Sequence, residues 1–121
     1  MASVVDIMER DVAVLRSSAS VPEALSVMRK NGVGIVPVVE DGRLVGLMRS
    51  ELAVDPENAE STVGEVMAGP ETFVEKNMGL ENAARFMVIS RMARLPVVDN
   101  GVNRRFMGMV TATAIVNELK K

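Results

Sequence analysis

Apolar positions along this chain follow first a helical and then a strand rhythm, and the pair is written twice. Val21, Ala24, Leu25 and Met28 fall at helical spacing, and Ser20 stands three residues before Glu23, the reciprocal cap that opens a helix. The run "GIVPVV" then reads as a buried strand, and the polar turn at Asp41 and Gly42 returns it through "LVGLM" as a hairpin. "VAVL" at 12–15 reads as a short strand ahead of the helix, and Ser50 as the cap of a short closing helix, "ELAV". The order is β-α-β-β-α.

The second half repeats the phrase. It predicts a strand at "TFV", a helix from Leu80 to about Met92, a strand at "LPVV", a turn at "DNG", a strand at "FMGMV" and a last helix from about Ala112 to Lys120. An offset of 59 residues aligns 8–42 with 67–101 without a gap, and seven of the 35 pairs are identical, Met8/Met67, Pro37/Pro96 and Gly42/Gly101 among them. Three extra residues then enter around "VNRR". The polar stretch 55–61 reads as a connection, followed by a second capping box at Thr62 and Glu65. Half of a 121-residue chain buries too little apolar surface to stand alone. The expected fold is therefore α+β: two repeats, residues 1–58 and 59–121, packed sheet to sheet about a pseudo-twofold axis as one module.

Composition narrows the chemistry. The chain has no cysteine and no histidine, which excludes disulfides, thiolate nucleophiles, imidazole bases and the usual transition-metal ligands, so no metal site is expected. No close acid pair stands in a predicted pocket, so the chain does not read as an enzyme. A net charge of −2 with 2% aromatic residues offers neither a phosphate-attracting surface nor a stacking platform, which argues against nucleic acid. Asp6 and Glu9 interrupt the N-terminal stretch where a signal peptide needs an apolar run, and no segment approaches the ~20 apolar residues of a membrane span. A soluble, cytoplasmic protein is expected. With so few aromatics, most of the ten methionines are expected to fill the core.

The "PVV(E/D)(D/N)G" strand and turn, the strands "VGLM" and "MGMVT", the helices "EALSVM" and "ENAARFM" and the repeat length together resemble paired cystathionine-β-synthase (CBS) domains over essentially the whole chain. The resemblance implies a stand-alone regulatory module. Such a module binds an adenosine-containing ligand (AMP, ADP, ATP or S-adenosylmethionine) in the cleft between its repeats, requires no cofactor, pairs as a homodimer and regulates a separate protein.

It also implies site residues, position by position. A Ser or Thr three residues after the last strand's glycine contacts phosphate or sugar; here those positions hold Thr111 and Arg49. A basic residue two before the proline of "PVV" faces phosphate, which gives Arg94 in the second repeat and Ile35 in the first, with Pro96 beside it. Val33, Met92 and Ala93 are implied to line the adenine wall, with Leu47 and Met109 opposite. The aspartate six residues after the glycine, which holds the ribose, is replaced by Leu52 and Ala114. That loss leaves a ligand-free dimerisation and docking scaffold as the alternative reading. Read from the residues alone, Arg94 meets either a ligand anion or an intramolecular carboxylate, and Thr111 is an ordinary helix cap. Arg85, Arg91, Arg94, Arg104 and Arg105 form either a patch for an anionic partner or a solvated face.

Overall fold

The computed structural model describes residues 2–121. Its contacts divide the chain into two compact units, an N-half unit of residues 13–71 and a C-half unit that joins residues 2–12 to 72–121. These units differ from the sequence halves on either side of 58. The helix that opens each repeat packs in the other unit.

In the N-half unit, α2 (Val21–Asn31) begins at Ser20, whose side chain accepts from the Glu23 amide while Glu23 caps back, as the capping box predicts. It buries Val21, Ala24 and Met28. Strands β1 (Ile35–Glu40) and β2 (Arg43–Arg49) form an antiparallel hairpin with Val36 opposite Met48 and Pro37 opposite Leu47. The turn takes left-handed conformations at both Asp41 (φ 51°) and Gly42 (φ 78°), the pair of positive angles that matches strand twist in a two-residue loop. The helix α3 (Ser50–Ala53) follows, then a short 3-10 turn (Pro56–Asn58) capped by Asp55, then α4 (Val63–Val66) with its Thr62–Glu65 capping box. Arg49 rather than Ser50 occupies the cap position of α3, so Ser50 is its first helical residue. Leu15, Val21, Ala24, Met28, Val36, Val38, Met48 and Val63 close the core.

The C-half unit begins with α1 (Val4–Ile7), opened by a Ser3–Asp6 capping box that the sequence reading did not single out. Strand β3 (Val74–Glu75) pairs parallel with β4 (Arg94–Val98), which pairs antiparallel with β5 (Phe106–Thr111); α5 (Leu80–Ser90) and α6 (Ala112–Leu119) accompany this three-stranded sheet. Leu95, Val97, Val98, Met109 and Val110 are fully buried. A leucine such as Leu95 contributes roughly 1.5–3 kcal/mol by leaving water. The expected strand at 12–15 is reduced to one parallel bridge, Leu15 to Val38, in the place that β3 holds in the other unit. Two backbone bonds support it among the described residues, from the Leu15 amide to Pro37 and from the Val39 amide to Leu15. One bridge is too few pairs for a strand.

Candidate ligand-binding site

Each unit carries part of the expected ligand-binding set on its hairpin, Ile35, Leu47 and Arg49 on one and Arg94, Pro96, Met109 and Thr111 on the other. In the N-half unit, Ile35 lies opposite Arg49 and Pro37 opposite Leu47. Arg49 Nε donates to Glu51 Oε2 at 3.1 Å, so its charge is met on the surface by its own helix turn. Leu47 is buried, while Val33 and Ile35 are half-buried. The C-half unit places Arg94 opposite Thr111 and Pro96 opposite Met109. Met109 and Pro96 are buried, so both belong to the core.

Thr111 caps α6, its hydroxyl oxygen accepting from the Ala114 amide at 3.1 Å. The hydroxyl proton remains a donor. Arg94 is three-quarters buried, and its Nη1 donates to Glu9 Oε1 at 3.3 Å across 85 residues of sequence. Its Nε is buried without a hydrogen-bond partner among the described residues. Between the two outcomes open for Arg94, the structure supplies the carboxylate. It leaves one donor unspent.

Glu9 is the residue that the sequence reading missed. Its segment lies on the edge of β5, with the Glu9 amide donating to the Met109 carbonyl at 2.7 Å and the Met109 amide returning to Glu9 at 2.9 Å. Gly108 makes this approach possible, since a Cβ there would run into the Glu9 carbonyl oxygen. The N-half unit repeats the arrangement, with Ala68 bridging Leu47 and a Cβ at Gly46 falling 2.6 Å from the Ala68 carbonyl. The 59-residue offset carries Glu9 onto Ala68 and Arg94 onto Ile35. Each repeat therefore keeps one charge of the pair, and only the folded C-half unit brings the two together.

Met92 and Ala93 belong to a different surface. With Met87, Val88, Ile115 and Val116 they line an apolar groove of about 390 Å³ between α5 and α6. The five arginines do not share an element: Arg85 lies on α5 beside Asn82, Arg91 caps the end of that helix, Arg94 is on β4, and Arg104 and Arg105 sit at the base of the β4–β5 loop. That loop is held by Asp99, which accepts from the Asn100 and Arg105 amides. Desolvation pushes the Asp99 carboxyl up, but those amides and the Arg105 charge outweigh it and hold the group below its ordinary value. Among the described residues, no cluster of acids could hold a metal, and no helix is long and apolar enough to cross a membrane.

Two hairpin units with repeated strand, turn and helix order define a tandem-repeat α+β protein. The CBS domain description matches residues 4–51 and 63–121, and the chain belongs to that family. The CBS domain-containing protein YhcV of Bacillus subtilis is 34% identical over 104 residues, which cover 82% of this chain and 74% of YhcV. The homoserine O-acetyltransferase of Methanohalobium evestigatum is 35% identical over 118 residues, 91% of this chain but 22% of that enzyme, so the chain spans about a fifth of it. Among solved structures, CBSX2 in complex with AMP matches with a TM-score of 0.85 at 25% identity, covering 100% of both chains. The CBS domain pair of MJ0100 in complex with 5′-methylthioadenosine and S-adenosyl-L-methionine matches with a TM-score of 0.82 at 25% identity, over 99% of this chain and 97% of that one.

Proposed function

We propose that this CBS pair is a non-catalytic regulatory module that binds an adenosine-containing ligand on the C-half unit and transmits its occupancy to a separate protein. The observation that carries the reading is Arg94, a three-quarters-buried cation with an unpartnered Nε, lying opposite Thr111 on adjacent strands. A buried unpaired donor costs roughly 1–3 kcal/mol, and a ligand oxygen would relieve it. The complexes of CBSX2 with AMP and of MJ0100 with 5′-methylthioadenosine and S-adenosyl-L-methionine support the ligand class. Regulation follows if the ligand binds two arrangements of the module with different affinity. A cytoplasmic location, where such ligands are made and spent, fits this role.

The module acts as a homodimer in this reading. Four of the large apolar side chains left exposed, Val88, Ile89, Val116 and Leu119, lie on α5 and α6, the helices that form the groove. Val88 and Val116 line that groove, and exposed apolar side chains there suit an isologous contact with a second copy.

Calorimetric titration of the protein with AMP, ADP, ATP and S-adenosylmethionine tests the reading. Saturable heat from at least one is expected. At a ligand concentration 100 times the dissociation constant, the fold gains about 2.7 kcal/mol, so the melting temperature rises. The second reading, a ligand-free scaffold, is favoured by Leu52 and Ala114 where a ribose carboxylate is implied. It expects no heat and no shift with any of the four.

A further inference from the structure

The Glu9–Arg94 pair sits where the proposed function places a ligand, and it is made of parts that only one unit possesses. The Glu9 side chain is 56% exposed, but its backbone is held. Two backbone bonds to Met109 fix its position, and Gly108 admits its backbone, so its carboxylate is delivered to Arg94 by the sheet itself. Arg94 in turn is only 25% exposed, and Glu9 Oε1 occupies one of its terminal nitrogens. The matching positions of the N-half unit are Ala68, which bridges Leu47, and Ile35, and neither carries a charge. The fold therefore tolerates the uncharged version. The charged version is an addition to it.

We propose that Glu9 is a specificity-determining residue, a resident carboxylate that competes with ligand phosphate for Arg94 and so tilts the site toward adenosine ligands without a phosphate. A phosphate-bearing ligand must draw Arg94 away from Glu9 or accept a carboxylate as neighbour, and like charges held close are unfavourable. A ligand that is neutral or cationic beyond the ribose pays neither cost. The inference rests on the ligand class proposed above, although its charge logic concerns Glu9 and Arg94 alone.

Glu9→Ala copies the residue of the other unit and leaves the Glu9 backbone bonds in place; Glu9→Ala/Arg94→Ile copies the whole pair. The wild type and both variants are titrated calorimetrically with inorganic pyrophosphate, AMP and adenosine at one fixed ionic strength. Glu9→Ala is expected to bind pyrophosphate and AMP roughly three- to fivefold more tightly than the wild type, the scale of a partly exposed ion pair, with adenosine unchanged and the gain lost in the double variant. If pyrophosphate binding rises on Glu9→Ala while neither AMP nor adenosine binds any form, the charge competition stands and the nucleotide reading falls. If adenosine tightens as much as AMP, Glu9 acts by occupying space and the proposal is overturned. Equal pyrophosphate binding to wild type and Glu9→Ala, including none to either, also overturns it.

Discussion

Glu40 shows how one side chain at the end of a strand can fix a loop. Its carboxylate accepts from the Ser17 amide at 2.7 Å and the Ser17 hydroxyl at 2.8 Å, and Arg16 approaches at 3.2 Å. The Ser17 carbonyl then accepts from the Gly64 amide at 2.8 Å, tying the loop to α4. The Ser17 backbone bond is the main reason that the Glu40 carboxyl is held below its ordinary 4.5, with the Ser17 hydroxyl and Arg16 adding to it. A depressed folded-state value means that the stabilisation is fully present above the unfolded value of 4.5 and is lost as pH falls through the folded one. Melting curves across the acid range should therefore show wild type above Glu40→Gln at neutral pH, the gap narrowing once pH drops below 4.5. A gap that stays constant with pH would place the Glu40 contribution in packing rather than charge. Arg94 and Glu9 belong to the same scale, but their meeting was not legible. Sequence offered Arg94 a choice of anions, and nothing local to residue 9 marked it as the one chosen.

At the scale of elements, local chemistry was the most legible part of the protein. Ser20 with Glu23 and Thr62 with Glu65 announced α2 and α4, because a capping box involves residues only three apart and needs no tertiary support. The same signature at Ser3 and Asp6 opens α1, a helix of four residues too short to leave a periodic apolar trace. Residues 12–15 failed in the opposite direction, since their β-branched character is real but the ladder bonds that define a strand come from a partner elsewhere in the chain. Thr111 takes the cap role that its position before α6 predicts. Its cap bond to Ala114 predicts that Thr111→Ala destabilises the protein by about 1 kcal/mol, while Thr111→Ser keeps the acceptor and most of the stability. Thermal melts would read this as a loss of several degrees for alanine only. An alanine variant that melts with the wild type would show that α6 is held by packing alone.

For the whole molecule, the exposed apolar side chains at the groove between α5 and α6 make the strongest statement. Val88 and Ile89 are each 78% exposed, so a charge at Val88 should leave the folded unit intact yet disrupt an apolar contact with a second copy. Light scattering coupled to size exclusion should find the wild type as a dimer and Val88→Glu as a folded monomer. A wild type that runs as a monomer, or a dimeric Val88→Glu, would show that this face does not join the copies.

What the amino-acid order determined by itself was everything carried by short range and by repetition: the caps, the hairpin turn at Asp41 and Gly42, the helical stripes, and the 59-residue echo that marks a CBS pair. Periodicity and turn chemistry act between residues a few positions apart, so they can be read along a line. Tertiary structure alone decided that residues 2–12 pack with 72–121, that Gly108 gives way to the Glu9 backbone, and that Arg94 spends one of its nitrogens on that glutamate. Those choices depend on which edge a returning segment finds free to hydrogen-bond. The free energy of that pairing belongs to two distant stretches jointly, and neither stretch encodes it alone.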